Sequence, residues 1–162
     1  MAKVMAIRRY DLLAEPRGEG YRNLIRASLD YANSFLLVVN PGIGIVEDPG
    51  QRLMRELHPY LLSEDRKTQW PGTMLLSDDS ALVSRFSLSP QTSAILGGAV
   101  EGLFDWIGPT LPEDLCILRA DGSPWLVAIA HERDAYLELR DGERVTLAED
   151  VPSLRLSAAA ES

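Results

Sequence analysis

Residues 113–148, EDLCILRADGSPWLVAIAHERDAYLELRDGERVTLA, contain most of the β-strand signal in this 162-residue chain. Short apolar runs alternate there with polar turns, which is the pattern of consecutive strands. Asp121-Gly122 and Asp141-Gly142 are dipeptides that favour tight hairpin turns. The stretch predicts an antiparallel meander with strands at 115–119, 125–130, 135–140 and, after the second Asp-Gly pair, a fourth strand that contains Val145 and Leu147.

Pairing across these turns divides the side chains between two faces, because successive residues of a strand point to opposite sides. One face is predicted to carry Cys116, Leu118, Trp125, Val127, Ile129, Tyr136, Val145 and Leu147. The other is predicted to carry Leu115, Ile117, Leu126, Ala128, Ala130, Leu137 and Leu139. Strand 125–130 is then apolar on both sides, so it belongs in the middle of the sheet and needs a cover of helices.

Three helices are predicted before the meander. Apolar residues recur at helical spacing from Tyr21 and again around Leu53. Ser89-Pro90 has the form of an N-cap followed by proline at the first helical position, and the apolar residues after it continue to Ile107. These helices are the predicted cover of the sheet.

The remaining segments complete the fold prediction. Gly97-Gly98 interrupt the third helix, and we expect them to allow close packing of that helix on the sheet. Residues 64–72 are predicted to be a polar connection. We predict one α+β domain over 1–150, with a mixed, largely antiparallel sheet, a C-terminal four-stranded meander and about three covering helices, and a flexible tail over 151–162. Further strands are predicted at 3–8, 35–39, 73–76 and 81–88, the last two forming a hairpin.

The net charge of −8 is concentrated in the last part of the chain, since residues 101–162 carry thirteen acidic and five basic groups. An acidic surface disfavours nucleic acid and anionic lipid, and it favours a basic protein partner. Residues 1–30 carry six basic and four acidic groups, and this asymmetry allows head-to-tail self-association. Negative charge that only maintains solubility is the alternative explanation.

The location of the protein is predicted from the absence of targeting features. No apolar run approaches the ~20 residues that span a bilayer, and the N-terminal residues lack a signal-peptide pattern. We therefore expect a cytoplasmic protein. The use of fourteen arginines against two lysines indicates a GC-rich, bacterial genome.

The residues that usually carry chemistry are few, and we predict no catalytic residue, metal or cofactor. Cys116 is the only cysteine and is predicted to be a small buried apolar residue. The two histidines, His58 and His131, lack metal-ligand spacing. The glycine loop at 40–44 lacks the spacing of a phosphate-binding motif. Acidic pairs such as Glu113-Asp114 are predicted to be solvated turn residues.

Two hypotheses of function follow. The first is a small, non-catalytic protein-binding module of the immunity, adaptor or inhibitor kind, whose partner surface is formed by Trp70, Glu132, Asp134 and Glu138. Trp70 lies in a loop, where it would either anchor a partner or fold back over the core. The alternative is a small enzyme or anionic-ligand-binding domain that uses His131 or His58 as a base with an arginine such as Arg85 or Arg119.

Overall fold

Seven strands form one antiparallel sheet in the part of the chain that the structure describes. The structure is a computed structural model that describes residues 6–40, 48–76 and 79–158. Its strands are β1 (Ile7–Asp11), β2 (Ser34–Val39), β3 (Leu61–Lys67), β4 (Gln69–Trp70), β5 (Thr73–Met74), β6 (Ala81–Ser87), β7 (Glu113–Leu118), β8 (Pro124–Ile129) and β9 (Asp134–Arg140). Its α-helices are α1 (Glu19–Ala27), α2 (Gly50–Leu57), α3 (Pro90–Ala99) and α4 (Asp141–Asp150).

The spatial order of the sheet is β1-β9-β8-β7-β2-β6-β3, and β4 pairs with β5 in a separate small hairpin. The prediction of an α+β fold is confirmed, as is a C-terminal meander made by β7, β8 and β9. The prediction of a mixed sheet is wrong, since every strand pair is antiparallel. The chain after α2 does not return as a parallel neighbour of β2 but runs into β3 at the edge of the sheet.

The two faces of the sheet are covered by different parts of the chain. The helices cover one face, hereafter the helix face, where Phe35 stacks on Phe86 with ring centroids 5.3 Å apart. The other face, the hairpin face, is covered by β4, β5 and their turn. A Cβ atom on Gly72 of this turn would lie 2.8 Å from a methyl group of Val127, so the turn packs directly on the sheet. The buried apolar residues of the hairpin face are Leu36, Val38, Trp70, Ala81, Val83, Cys116, Leu118, Val127, Ile129 and Tyr136.

The predicted fourth strand of the meander is helix α4, so that prediction is wrong. Leu147 is fully buried and Val151 nearly so, while Val145 is 65% exposed. Val145 and Leu147 lie two residues apart and would share a face in a strand, whereas only Leu147 is buried, as the rotation between them in a helix allows. The side chain of Glu143 also accepts a hydrogen bond from the backbone N–H of Arg140 at 2.8 Å, which caps the start of this helix.

The face prediction for the remaining strands has one error. Cys116, Leu118 and Val127 lie together on the hairpin face as predicted, but Trp125 belongs to the helix face. The pairing of β7 with β8 shifts by one residue between Ile117 and Leu118. A β-bulge of this kind reverses the facing of the residues beyond it.

The middle of the chain also differs from the prediction. Most of the predicted polar connection at 64–72 is strand β3 and the hairpin. The strand at 81–87 pairs with β2 and β3 and not with residues 73–76, and the predicted turn between them falls partly on residues outside the described ones. The residues of β3 are almost all exposed on both sides, so they lack the apolar alternation by which strands are recognised.

Helix α3 begins as predicted and ends early. Ser89 accepts a hydrogen bond from the backbone N–H of Thr92, and Pro90 opens the helix. The helix ends at Ala99 and not near Ile107, and a 3₁₀ turn follows at Leu103–Asp105. The expected packing of Gly97-Gly98 on the sheet is wrong, because a Cβ atom on Gly98 would meet nothing within 4 Å.

The described residues after α4 run beside β1. The backbone N–H of Leu13 donates to the carbonyl of Arg155, and that of Ser157 donates to the carbonyl of Asp11, both at 2.9 Å. Val151 is buried in the main core. One end of β1 is therefore flanked by the segment that was predicted to be a tail.

Candidate functional site

The candidate site lies where β7 begins and β8 ends, and Asp114 is its centre. Asp114 is the second residue of β7 and is 1% exposed. One of its carboxylate oxygens accepts a hydrogen bond from the indole N–H of Trp70 at 3.1 Å, and the other accepts from the backbone N–H of Ala130 at 3.0 Å. This carboxylate ties the hairpin on one face of the sheet to the 3₁₀ turn at Ala130–Glu132, which follows β8.

The backbone is strained at two places in this site. Asp114 and Arg133 have φ angles of 55° and 53°, and they are the only described residues other than glycine with positive φ. The backbone N–H of Arg133 donates to the carbonyl of Ala130 at 3.0 Å, so both residues adjoin the same turn. Left-handed conformations cost free energy and often occur at functional sites, which makes this end of the sheet a candidate.

An open cleft of about 560 Å³ adjoins the turn, and we call it the His131 cleft. The side chain of His131 is 53% exposed at its rim and lies 4.0 Å from the carboxylate of Glu132. The residues that line the His131 cleft include Phe104, Ile107, Thr110, Ala130, His131 and Arg133.

Glu113 is a nearly buried acid behind the cleft. Its residue is 9% exposed, and one carboxylate oxygen accepts a hydrogen bond from the backbone N–H of Gly108 at 3.1 Å. Burial raises the pKa of Glu113, and the negative charge of Asp114 raises it further, while the Gly108 hydrogen bond and His131 act in the opposite direction. Gly108 lines the cleft, so its hydrogen bond places the carboxyl of Glu113 close to the cleft wall.

Arg133 forms an ion pair with an acid that does not line the cleft. Its guanidinium lies 3.3 Å from the carboxylate of Glu15, which also binds Arg17 at 3.0 Å and accepts from the backbone N–H of Phe104 at 2.8 Å. The same guanidinium lies 5.5 Å from the centre of the Phe104 ring. Glu15 is shared between Arg133 and Arg17, and the Arg133 side chain is 71% exposed, so part of its positive charge remains at this surface.

Three of the four predicted partner-binding residues lie at this end of the sheet. Trp70 is 8% exposed and is folded against the hairpin face, while Glu132 and Asp134 flank Arg133 in the turn. Asp134 accepts a hydrogen bond from the backbone N–H of Ala135 at 2.9 Å. Glu138 lies four residues further along β9, opposite Arg9 of β1, and burial raises its pKa. The predicted surface is therefore divided between two places.

The residues of the alternative prediction do not meet. His58 begins the 3₁₀ turn after α2, and Arg85 donates to the hydroxyl of Ser34 at 3.0 Å on the hairpin face. Arg119 is 5% exposed and forms an ion pair with Glu143 at 2.6 Å. Among the four, only His131 adjoins the cleft.

The described residues contain no further chemical centre. They hold no group of three or more potential metal ligands, and none of their helices has the length and apolar character to span a bilayer. Cys116 is fully buried, and burial raises the pKa of its thiol to about 12, so it is not an activated nucleophile. The glycine loop lies, apart from Asn40, outside the described residues.

The roles of Glu113 and Asp114 as buried hydrogen-bond acceptors were not predicted from the sequence. They were predicted to be solvated turn residues, and that is wrong, because both are nearly buried and both accept backbone hydrogen bonds. The signal that could have placed them is their position, immediately before the apolar run 115–118, which puts them inside the strand.

Comparison with family models, with curated proteins and with solved structures finds no match to this chain. The arrangement of the site itself is therefore the basis of the proposal below.

Proposed function

We propose that this chain is a non-catalytic protein-binding module that binds a basic partner at the end of the sheet formed by the hairpin and the 130–134 turn. The observation that supports this is the bridge through Asp114, which holds the hairpin and the acidic turn together. We call the exposed side chains of Met74, Leu76 and Glu132, together with the half-buried Asp134, the end surface.

The hairpin presents apolar anchors on a fixed backbone. Met74 is 65% exposed and Leu76 is fully exposed, whereas Leu75 between them packs on the buried cluster of the hairpin face. Residues in extended chain alternate in direction, so Met74 and Leu76 both point away from the sheet. The hairpin is held by the hydrogen bond of Trp70 to Asp114, which reduces the entropy lost when a partner binds.

The 130–134 turn, which Asp114 joins to the hairpin, carries the acids of the end surface. The Glu132 side chain is 60% exposed, and the guanidinium of the intervening Arg133 is bound to Glu15, while Lys67 lines a pocket with Met74. Apolar anchors joined to an acidic turn fit a partner that carries basic groups beside an apolar pocket, because complementary charge speeds encounter and suppresses wrong partners.

The test is site-specific photo-cross-linking in the native host. A photoreactive amino acid is placed at Met74, and in a matched control at Val145, which is equally 65% exposed but lies on α4. The proposal expects one discrete adduct from position 74 that is absent from position 145. The adduct should be lost when Glu132 and Asp134 are both replaced by lysine, in a variant whose circular dichroism shows an intact fold. Equal adducts at both positions, or an adduct indifferent to charge reversal, would contradict the proposal.

The second candidate function is an anionic-ligand-binding domain or small enzyme, and the observation that favours it is the cleft lined by His131 and Arg133, with the carboxyl of Glu113 bound to Gly108 of its lining. Titration of inorganic phosphate into the protein, followed by the NMR signals of His131, tests this function. Saturable shifts that disappear in His131→Ala would favour it over the binding module.

A further inference from the structure

Strand β3 is an open edge of the sheet. It has seven residues, pairs only with β6, and has almost no buried side chain on either face. The backbone groups on its outer side have no strand partner among the described residues. Such an edge is able to accept another strand, and charged residues usually discourage that.

The charges of β3 are arranged to attract a copy of themselves. Glu64 and Arg66 lie on the helix face, and Asp65 and Lys67 lie on the hairpin face, so each face carries an acid followed two residues later by a base. None of these four residues forms an ion pair with another described residue. The residues of β6 that pair with them are, in the order of 64 to 67, Ser84, Val83, Leu82 and Ala81.

We propose that β3 pairs with β3 of a second copy of this chain in an antiparallel, two-fold symmetric arrangement, so that the two sheets become one. This interface does not depend on the proposed function, although Lys67 at the end of β3 lines the same pocket as Met74 of the end surface. A two-fold axis perpendicular to the sheet places one residue opposite its own copy, and paired residues must lie on the same face of the joined sheet. With Asp65 at the axis, the two copies of Asp65 repel each other, but Glu64 of each copy lies opposite Arg66 of the other, so two attractive pairs offset one repulsive pair. Lys67 of each copy is then diagonal to Asp65 of the other, within the reach of a long side chain.

The opposite edge of the sheet lacks these properties. Self-pairing of strand β1 with its central Arg9 at the axis would place two copies of Arg9 opposite each other with no facing ion pair to offset them, because Arg8 would face Tyr10 and Asp11 would face Ile7. The segment after α4 also occupies the flank of the chain at residues 11–13. Of the two edges, only β3 is both open and self-complementary in charge.

The test is sedimentation velocity over a dilution series that reaches hundreds of micromolar at low salt. The full chain should show a reversible monomer–dimer equilibrium that weakens as salt is added. Arg66→Glu replaces two attractive pairs by two repulsive ones and should weaken dimerisation about tenfold or more. The charge exchange Glu64→Arg with Arg66→Glu should restore it to within about threefold of the original. Arg155→Glu, an equal change in net charge at an exposed residue away from β3, should have no effect.

Oxidation gives an independent test of the register. Asp65→Cys should form a disulfide-linked dimer readily, since the two copies of this position face each other, while Arg8→Cys on β1 should not. Cys116 is buried and will not compete. A chain that stays monomeric at the highest concentration, or a charge exchange that fails to restore dimerisation, would overturn the proposal.

Discussion

Replacement of Asp114 should reveal how strongly the candidate site is built into the fold. Asp114→Ala removes the acceptor of two buried donors, the indole N–H of Trp70 and the backbone N–H of Ala130. Each orphaned donor costs about 1–3 kcal/mol. Alanine in the left-handed conformation at φ 55° costs about 1–2 kcal/mol more. We expect the free energy of unfolding to fall by about 3–8 kcal/mol, a large part of the ~5–15 kcal/mol typical of a domain.

Two further variants separate the contributions. Asp114→Gly loses the same hydrogen bonds but relieves the left-handed backbone, so it should retain about 1 kcal/mol more stability than Asp114→Ala. Asp121→Ala is the control, because Asp121 also accepts a backbone N–H, that of Ser123 at 2.9 Å, but does so in an exposed turn. Its loss should be much smaller than that of either Asp114 variant.

The assays are urea unfolding followed by far-ultraviolet circular dichroism and hydrogen exchange of the Ala130 amide. The Ala130 amide should be protected in the original chain and should exchange much faster in Asp114→Ala, even where the rest of β8 remains protected. If Asp114→Ala lowers the free energy of unfolding by less than about 1 kcal/mol and leaves the exchange rate of the Ala130 amide unchanged, Asp114 does not hold this site together.

Four smaller predictions concern other residues. Burial raises the pKa of Glu113, so its contribution to stability falls as pH rises through that pKa, and Glu113→Gln should raise the melting temperature at neutral pH but not at acid pH. Burial alone would raise the pKa of Glu143, but the hydrogen bonds of its carboxylate with Arg119 and Arg140 lower that pKa below its usual value. The stabilisation by the ionised carboxylate is therefore lost as pH falls through the lowered pKa, so Glu143→Gln should lower the melting temperature only at neutral pH. Gly72→Ala should destabilise the protein in the same thermal melts, because Gly72 has φ 85° and a Cβ atom there would clash with β8. Gly98→Ala should stabilise the protein by about 0.5–1 kcal/mol, because Gly98 lies in a helix and its added Cβ atom would meet open space. Burial raises the pKa of the Cys116 thiol from about 9 to about 12, which lowers its thiolate fraction about a thousandfold, so a chromogenic disulfide reagent should label it only after unfolding in denaturant.

The meander shows which parts of the fold local sequence determines. Strands β7, β8 and β9 follow from apolar runs and short turns, and the burial of Cys116 follows from side-chain alternation. The helix after Arg140 was mistaken for a strand because Asp141-Gly142 resembles a hairpin turn over a short window. The features that favour a helix are the cap by Glu143 and the burial of Leu147 without Val145, and both depend on tertiary contacts such as that of Glu143 with Arg119.

The site could be predicted less well, because its geometry depends on tertiary contacts between distant segments. The sequence identifies Trp70 and the 131–134 turn as candidates, but 44 residues separate Trp70 from the carboxylate that binds it. The helices cover one face of the sheet, so the other face must be covered by a different segment. Here that segment is a hairpin of two-residue strands. So small a hairpin is at best marginally stable alone and needs an attachment. The buried, strained Asp114 supplies that attachment, because its carboxylate also binds the turn that follows β8.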